Sequence, residues 1–374
     1  MQSLNEFLNS RLAQRHEAGL IRKLTSAHLP VDFFSNDYLG LARSKELSES
    51  IEQLHQSLGV QNGSGGSRLL AGNNAFTESV EGSLCHIFKS EACLIFNSGY
   101  AANVSILSSI PQKGDTILYD SLAHASLKDG ARLSLATRHS FRHNDPSDLE
   151  QKIRSSKGKK FIVVESIYSM DGDECALEEI VAVARKYDCV VILDEAHSTG
   201  VRGPAGAGVA VERNLHDKID IRMYTFGKGM GVHGACVAGA DTLISYLINF
   251  ARPFIYTTAL SQHQVASIQC AFAYLGSNMD LQEKLKSKID LYLSEAGNLA
   301  NRTQSRSAIQ TILCPGNEKV RQLAEALQEK GLDVRPILSP TVPQGAERLR
   351  ICLHTFNSDE EIHALTETLM TVGQ

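Results

Sequence analysis

Short apolar runs alternate with amphipathic stretches through the middle of the chain. Seven runs are rich in β-branched residues and bounded by turn residues: ACLIFNSG, GDTILYD, RHSFRHND, KKFIVVESIYS, CVVILDEAHS, IRMYTFGK and GACVAG. Stretches of helical period, such as AFTESVEGSLCHIF and LEEIVAVARKY, lie between several of them. Strands that alternate with helices are typical of a parallel sheet covered on both faces. The pattern therefore predicts an α/β domain around a mainly parallel, seven-stranded sheet.

The pattern changes towards both ends of the chain. The N-terminal segment MQSLNEFLNSRLAQRHEAGL places Leu4, Phe7, Leu8 and Leu12 on one helical face. It carries acidic residues and no apolar signal core, so we expect it to belong to the mature protein.

After the seventh run the rhythm becomes mostly helical. Helical periodicity extends from about residue 261 to 302, and a strand (AIQTILC), a helix (NEKVRQLAEALQEKG) and a strand (RLRICL) follow. We predict an N-terminal helix and arm over residues 1–40, a large α/β domain over 41–260, and a smaller α+β domain over 261–374. The length of 374 residues agrees with two lobes, because it exceeds what one compact core usually holds.

Composition excludes several classes of protein. The net charge of −5 argues against a nucleic-acid-binding protein, which shows a basic face. No apolar run approaches the roughly 20 residues that a membrane-spanning helix needs. The eight cysteines are scattered singly and form no C-x-x-C pair. We interpret them as core thiols of a cytoplasmic protein and predict no metal site.

Polar residues gather where the predicted strands end. Ligands bind at the carboxyl ends of the strands in open α/β sheets. Taken alone, a strand-end Asp is usually a helix cap, and a Lys in a glycine-rich loop is usually a surface charge. Several polar residues at neighbouring strand ends, however, predict one site. Its members are Ser98, Gly99 and Tyr100 after the first run, Glu165 and Ser169 after the fourth, Asp194 and His197 after the fifth, and Thr225 and Lys228 after the sixth.

A dinucleotide fingerprint also occurs in the sequence, within GMGVHG (229–234). Such a motif should open a helix and be followed by an acid about 20 residues later. Here the next residues, ACVAG, have the pattern of a strand, and Asp241 comes too soon. The nucleotide loop G-x-x-x-x-G-K-[ST] and the hydrolase elbow G-x-S-x-G do not occur. The sequence therefore does not favour a dehydrogenase.

The strand-end residues have the chemistry that pyridoxal phosphate requires. A lysine amine forms a Schiff base with an aldehyde cofactor, and a carboxylate keeps the pyridinium nitrogen protonated. The phosphate is bound by hydroxyls and by the free N–H groups of a helix N-terminus. Lys228, Asp194, Thr225 and the amides of Gly99 and Tyr100 supply these groups. We expect the glycines around Lys228 to let the backbone approach the cofactor ring.

At this point the chain resembles a known family. DEAHSTGVRGPAGAG together with TFGKGMGVHGA is similar to the α-oxoamine synthases, which are fold-type I pyridoxal-phosphate enzymes with an aspartate aminotransferase-like fold. The resemblance extends from FFSNDYLGLA through GSGGSRLLAGN, SGYAAN, LAHASL, FRHND and SMDGD to PTVPQGAERLR. It implies a cytoplasmic homodimer that joins an amino acid to an acyl thioester and releases carbon dioxide.

Four segments indicate one branch of the family. FSNDYLGLA, GSGGSRLLAGN, FRHND and PTVPQGAERLRICL look most like the branch that condenses L-alanine with pimeloyl-CoA or pimeloyl-acyl-carrier protein in biotin biosynthesis. A sister synthase that uses glycine or serine with another acyl thioester stays open, because a methyl group is worth only roughly 1–3 kcal/mol of discrimination. A scaffold protein without activity is disfavoured, because Lys228, Asp194, His197 and His124 are all present.

The resemblance also implies roles for the catalytic and cofactor-binding residues. Lys228 would carry the Schiff base and take the Cα proton, and Asp194 would hold the pyridinium nitrogen. His197 would hydrogen-bond the ring hydroxyl and His124 would stack on the ring. Further residues implied by the resemblance are Ser169 and Glu165 as lining of the pocket, Gly99, Tyr100 and Thr225 at the phosphate, and the partner subunit's Thr258, also at the phosphate.

The substrate contacts come from the two ends of the chain. By resemblance, Asn36 and Arg350 would bind the amino-acid carboxylate, and Arg22 would lie near the access route of the acyl substrate. Arg348 and Arg350 share one face of a strand, so periodicity alone does not choose between them. The hairpin that the family has before NDYLG looks shortened here, to AHLPVDF.

Three further histidines have no predicted role in the reaction. We predict that His86, His139 and His143 are surface or strand residues.

Overall fold

The computed structural model describes residues 3–24, 26, 28–297, 299 and 301–372. Within these residues, two single 3₁₀ turns occur, at Leu41–Arg43 and Pro204–Gly206. The α-helices are α1 (Leu4–Glu17), α2 (Lys45–Ser57), α3 (Ala75–Phe88), α4 (Gly99–Ser109), α5 (Ala125–Leu133), α6 (Pro146–Ser155), α7 (Leu177–Lys186), α8 (Val209–Glu212), α9 (Asp241–Phe250), α10 (Arg252–Ile255), α11 (Gln262–Ser277), α12 (Asp280–Ala296), α13 (Asn317–Gln328) and α14 (Asp359–Val372).

In the described part of the chain the strands form three sheets. They are β1 (Val31–Asp32), β2 (Ala92–Phe96), β3 (Thr116–Asp120), β4 (Thr137–Phe141), β5 (Lys160–Glu165), β6 (Val190–Asp194), β7 (Ile221–Thr225), β8 (Ala235–Gly239), β9 (Ile309–Leu313), β10 (Leu332–Asp333), β11 (Arg335–Ile337) and β12 (Arg348–Cys352). The seven-stranded sheet has the order β2-β8-β7-β6-β5-β3-β4. All seven predicted runs form its strands, which confirms the predicted sheet.

Strands β3 to β7 are parallel, and β8 is antiparallel to both of its neighbours. Their side chains alternate between two apolar layers: Val163 and Ile192 face the layer that contains α4 and α5, whereas Ile162 and Val191 face the layer that contains α6 and α7. Burial on both faces explains why these runs are continuously apolar. The carboxyl ends of five parallel strands therefore meet at one edge.

The C-terminal part folds around the antiparallel sheet β11-β12-β9. One apolar cluster joins this sheet to the N-terminal arm and to the large sheet, and it includes Phe33, Tyr38, Tyr224 and Leu349. This cluster contains residues from both sides of position 40 and from both sides of position 260. The predicted domain boundaries at these two positions therefore stay predictions.

The N-terminal arm pairs with the C-terminal lobe. Strand β1 runs parallel to β10, with Val31 opposite Leu332. In place of a hairpin, the arm thus contributes a two-residue strand. Thr25 and Ala27, at the start of the shortened segment, lie outside the described residues, as do Asn298 and Ala300 within the predicted helical stretch.

Helix α1 forms as predicted, capped at its start by Ser3 and Glu6. No residue of α1 is buried, and the side chains of Leu4, Phe7 and Leu12 are each more than half exposed. Within the described part of the chain, no helix combines the length and the apolar character needed to cross a membrane.

Candidate active site

Lys228 lies in a tight connection between β7 and β8. The amide of Phe226 donates to Gly234 (2.9 Å), and the amide of Gly231 donates to the carbonyl of Lys228 itself (2.8 Å). Gly231 has φ +64°, and a Cβ there would overlap the amide of Ala42. At Gly231 the absence of a side chain lets this backbone pack against the protein's own 3₁₀ turn. The expectation that the glycines around Lys228 let the backbone approach a cofactor stays a prediction.

A chain of hydrogen bonds leads from the lysine amine into the core. Lys228 Nζ lies 2.8 Å from His197 Nε2, and His197 Nδ1 lies 2.8 Å from the Tyr38 hydroxyl. The Tyr38 hydroxyl donates to Asn36 Oδ1 (3.0 Å), so it accepts from Nδ1–H of the imidazole. His197 Nε2 is then left as the acceptor for the lysine, and the imidazole is neutral.

The carboxylate of Asp194 is oriented by two donors at the end of β6. Asn103 Nδ2 donates to its Oδ2 (2.7 Å), and the amide of Ala196 donates to its Oδ1 (2.8 Å). Asn103 also donates to the Ser126 hydroxyl (3.0 Å), while its own Oδ1 is buried without a partner among the described residues. Asp194 is therefore fixed as an acceptor directed into the site.

Burial moves three groups of this site towards neutrality. Burial lowers the pKa of Lys228 to about 8, although the carboxylates of Asp194 and Glu165 raise it. Burial raises the pKa of Glu165 to about 8, and the neighbouring charge of Asp194 adds to this. Burial, together with the charges of Lys228 and Arg350, holds the pKa of His197 well below its ordinary value. Groups with pKa values near the working pH are suited to proton transfer.

The N-terminus of α4 forms a cradle for an anion. Ser98 caps the helix by accepting from the Ala101 amide (3.2 Å). The amides of Gly99 and Tyr100 have no acceptor among the described residues, as expected in a first helical turn. A Cβ at Gly99 would lie 3.3 Å from the hydroxyl of Thr225 and would fill this cradle. Amides, hydroxyl and helix dipole together suit a phosphate.

These features fit pyridoxal phosphate. An amine, an oriented carboxylate and a phosphate cradle surround one strand edge, and Gly99 keeps the cradle open. Lys228 would hold the aldehyde carbon, Asp194 the ring nitrogen, and Gly99, Tyr100 and Thr225 the phosphate.

Arg350 presents a guanidinium with no acidic partner. Its Nε donates to the Ser169 carbonyl (2.7 Å), and one Nη donates to Asn36 Oδ1 (3.0 Å). Among the described residues it forms no ion pair, whereas Arg348 is paired with the carboxylate of Asp171. The structure thus favours Arg350 over Arg348 for binding a substrate carboxylate, a choice that strand periodicity left open.

The remaining predicted residues lie at the outer rim. His124 is an exposed residue that caps α5, and its amide donates to Glu165. Thr258 is exposed, and its carbonyl accepts from Asn97 (2.7 Å). The guanidinium of Arg22 donates to the Thr341 hydroxyl (3.3 Å) in the C-terminal lobe. The roles of these three residues stay predictions.

The prediction for the three histidines without a role is wrong for one of them. His86 and His139 are exposed, as predicted. His143 instead is half-buried between Asp120 (2.9 Å) and Asp173 (2.7 Å). Burial alone would lower the pKa of His143, but its hydrogen bonds to the two carboxylates outweigh this and raise it to about 10.

Sequence reasoning assigned no role to Tyr38 or Asn103. Asn103 lies four residues after Gly99, so helical spacing places both on one face of α4 and could have revealed it. Tyr38 lies in the quoted segment NDYLG, but nothing local shows that its hydroxyl reaches His197, 159 residues away.

Comparisons with known proteins agree with this geometry. The family model for aminotransferase class I and II matches residues 30–369. The chain is 40% identical to the 8-amino-7-oxononanoate synthase of Emericella nidulans, covering 98% of this chain and 95% of that one. It is 35% identical to the 8-amino-7-oxononanoate synthase 2 of Bacillus subtilis, covering 99% and 98% of the two chains.

Solved structures give the same result. A serine palmitoyltransferase of Sphingomonas wittichii superposes with a TM-score of 0.90 at 26% identity, covering 99% of this chain and 98% of that one. The 8-amino-7-oxononanoate synthase of Francisella tularensis superposes with a TM-score of 0.78 at 28% identity, covering 92% and 98%. Another serine palmitoyltransferase, with a TM-score of 0.90 at 26% identity and coverage of 99% and 98%, was solved with pyridoxal phosphate.

Proposed function

The chain belongs to the class I and II aminotransferase family and, within it, to the α-oxoamine synthases; from this premise we propose its reaction. It condenses L-alanine with a pimeloyl thioester to give 8-amino-7-oxononanoate, carbon dioxide and the free thiol, a step of biotin biosynthesis. The acyl carrier is coenzyme A or acyl-carrier protein. The full-length similarity to 8-amino-7-oxononanoate synthases supports this reaction over others of the family.

One observation carries the proposal. Arg350, which forms no ion pair among the described residues, is linked through Asn36 and Tyr38 to the same hydrogen-bond chain that ends at Lys228. A guanidinium binds a carboxylate through two parallel hydrogen bonds, which fixes the orientation of the bound molecule. An amino acid held by Arg350 therefore presents its Cα side towards the lysine.

Pyridoxal phosphate is the cofactor, and when bound it supplies an electrophilic aldehyde carbon and a ring that withdraws electrons from the substrate Cα. The protein itself positions the amino acid and moves protons. Lys228 moves the protons, because a pKa lowered to about 8 leaves roughly a tenth of its amine neutral at pH 7, far more than in an exposed lysine. Its Nζ takes the proton from Cα and later returns one to the product.

The neighbouring groups keep the lysine effective. His197 accepts from Lys228 Nζ through a neutral imidazole and therefore adds no second charge beside the amine. Asp194, held by Asn103 and Ala196, offers a fixed acceptor for the N–H of the cofactor ring. Glu165 accepts from the His124 amide and so fixes the start of α5, where His124 would cover the ring.

The assembly and location of the enzyme belong to the same proposal. We propose a cytoplasmic homodimer in which the partner subunit's Thr258 reaches the phosphate. Thr258 is exposed in this chain, and α1 shows an apolar face that none of the described residues buries. Both features suit an interface, because contiguous exposed apolar residues mark interaction surfaces.

One observation makes serine or glycine a second candidate for the amino-acid substrate. The superposition on the serine palmitoyltransferase of Sphingomonas wittichii has a higher TM-score than that on the Francisella tularensis synthase. Serine, or glycine, would then replace alanine, with another acyl thioester. Arg350 and Lys228 would act in the same way, because all three amino acids share the α-carboxylate and the Cα proton.

The experiment separates these possibilities. The purified protein is loaded with pyridoxal phosphate, and its visible absorbance is titrated with L-alanine, glycine and L-serine. Pimeloyl-CoA is then added to each mixture, and the molecular mass of the product is determined by mass spectrometry. Tightest binding of alanine and formation of 8-amino-7-oxononanoate support the proposal. Preference for serine or glycine changes the substrate within the family. A protein that stays colourless with the cofactor refutes the assignment of Lys228.

A further inference from the structure

The loop after β5, residues 169–173, is anchored to the C-terminal lobe by its backbone. Four successive carbonyl oxygens of the loop each accept a hydrogen bond from a side chain of that lobe. The pairs are Ser169 with Arg350 Nε (2.7 Å), Met170 with Thr311 Oγ1 (2.9 Å), Asp171 with Thr303 Oγ1 (3.2 Å) and Gly172 with Ser305 Oγ (2.9 Å).

An ion pair anchors the same loop. The carboxylate of Asp171 is paired with the guanidinium of Arg348, and both side chains are largely buried. Arg348 lies two residues before Arg350 on β12, so the two side chains project from the same face of the strand. One strand thus holds the loop with one arginine and directs the other towards the substrate.

The backbone of the loop has little freedom to move. Gly172 has φ +71°, and a Cβ there would overlap the carbonyl of Ile309 on β9. The loop backbone therefore lies in contact with the strand that neighbours β12. A displacement of the loop would carry the Ser169 carbonyl with it, and this carbonyl holds Arg350 Nε.

We propose that Asp171 and Arg348 are positioning residues for the amino-acid carboxylate site. Their ion pair holds the 169–173 loop in place, and through the Ser169 carbonyl it fixes the guanidinium of Arg350 before the substrate arrives. This inference rests on the proposed function, because it assigns the carboxylate of the amino acid to Arg350. Arg348 thus serves the substrate without touching it.

A purely structural role makes a different prediction. An ion pair that only stabilises the fold would change the unfolding temperature and leave the kinetic constants of the folded enzyme alone. A positioning pair acts on ground-state binding of one substrate, so it changes the KM for the amino acid and not that for the thioester.

The test uses Asp171→Asn in the full-length enzyme loaded with pyridoxal phosphate. We expect the KM for L-alanine to rise about 10-fold with kcat within about twofold, because a guanidinium that is no longer held in place loses binding energy in the ground state and the transition state alike. The KM for pimeloyl-CoA should stay unchanged. Hydrogen exchange of the amides in residues 168–173 should become faster in the protein with and without the cofactor.

Three controls complete the experiment. Glu295→Gln removes a carboxylate of similar exposure that is paired with His363 elsewhere in the C-terminal lobe, and it should change neither KM. Asp171→Asn with Arg348→Met leaves no unpaired buried charge and covers the case in which the single variant unfolds. The wild-type enzyme is assayed in parallel. If the wild type itself were inactive with L-alanine and pimeloyl-CoA, that result would count against the proposed function and not against the role of the ion pair. An active wild type with an unchanged KM for alanine in both folded variants would overturn the inference.

Discussion

Two clusters of charged residues and histidine lie along the same edge of the large sheet. The first, which we call the catalytic cluster, consists of Lys228, His197, Asp194 and Glu165. The second, the histidine clamp, consists of His143, Asp120 and Asp173. In the catalytic cluster the closest partner of Lys228 is a neutral imidazole at 2.8 Å, whereas in the clamp two carboxylates lie within 2.9 Å of one imidazole.

The pKa values follow this difference. Burial dominates in the catalytic cluster, so the pKa values of Lys228 and Glu165 both move to about 8. Hydrogen bonds to carboxylates outweigh burial in the clamp, so the pKa of His143 rises to about 10 and it stays charged. Burial alone would raise the pKa of Asp120, but His143 lowers it. The same kinds of side chain are thus made reactive or structural by the number of opposite charges within hydrogen-bond distance.

Replacing the lysine should have the largest effect. Lys228→Ala is expected to lower kcat by at least about 10⁴-fold, because the protein loses both its nucleophile and its proton carrier. The unfolding temperature of the cofactor-free protein should stay the same or rise, since a desolvated amine has been removed. Steady-state kinetics and calorimetry measure the two quantities. A loss below about 100-fold would mean that another group moves the proton.

Replacing Asp194, a carboxylate of the catalytic cluster, should have the second-largest effect on kcat. Asp194→Asn is expected to lower kcat by about 10²–10³-fold, because a neutral amide no longer stabilises a protonated ring nitrogen. Binding of pyridoxal phosphate, followed by absorbance, should weaken as well. Asp220→Asn is a control at the opposite end of β6 from Asp194. The Asp220 carboxylate accepts there from the Val191 amide (2.7 Å), and the variant should leave kcat unchanged. Equal losses in the two variants would contradict a specific role for Asp194.

The carboxylate site should respond in binding rather than in turnover. Arg350→Lys is expected to raise the KM for L-alanine by about 10–100-fold, because an ammonium cannot form the two-pronged contact. Arg335→Lys provides a matched control, since Arg335 is the register partner of Arg350 on β11 and is paired with Asp333. If both variants kept the wild-type KM, the amino acid would bind elsewhere.

The histidine clamp should show the smallest effect on catalysis. His143→Gln is expected to keep kcat within about twofold and to lower the free energy of unfolding at pH 7 by about 2–4 kcal/mol. The folded pKa of about 10 lies above the ordinary 6.5, so the stabilisation is complete below pH 6.5 and is lost as the pH rises towards 10. Denaturant titrations from pH 6 to 10 should therefore show a steeper loss for wild type than for the variant.

The large sheet and the strand-end residues could be predicted because both follow from local pattern. Continuous apolar runs identify strands buried on both faces, and parallel strands bring their carboxyl ends to one edge. This reasoning placed Asp194, Lys228 and Gly99 together without knowledge of any distance between them.

The features that could not be predicted depend on contacts between segments that are distant in the sequence. His143 meets Asp120 and Asp173, which lie 23 and 30 residues away, and no periodicity reports such a pair. Gly231 needs its small size because Ala42, 189 residues before it in the chain, packs against it. Tyr38 enters the site only because the N-terminal arm lies beside the C-terminal sheet.

The pairing of this arm with the C-terminal lobe has a consequence for biosynthesis. Asn36 and its partner Arg350 are separated by 314 residues. A ribosome that adds 5–20 residues per second needs about 15–60 s to cover that distance. Strands β2 to β8, with the lysine and the phosphate cradle, leave the ribosome well before Arg350 is made. The newborn chain thus contains the groups that we propose for the cofactor before Arg350, the proposed partner of the amino-acid carboxylate, has been added.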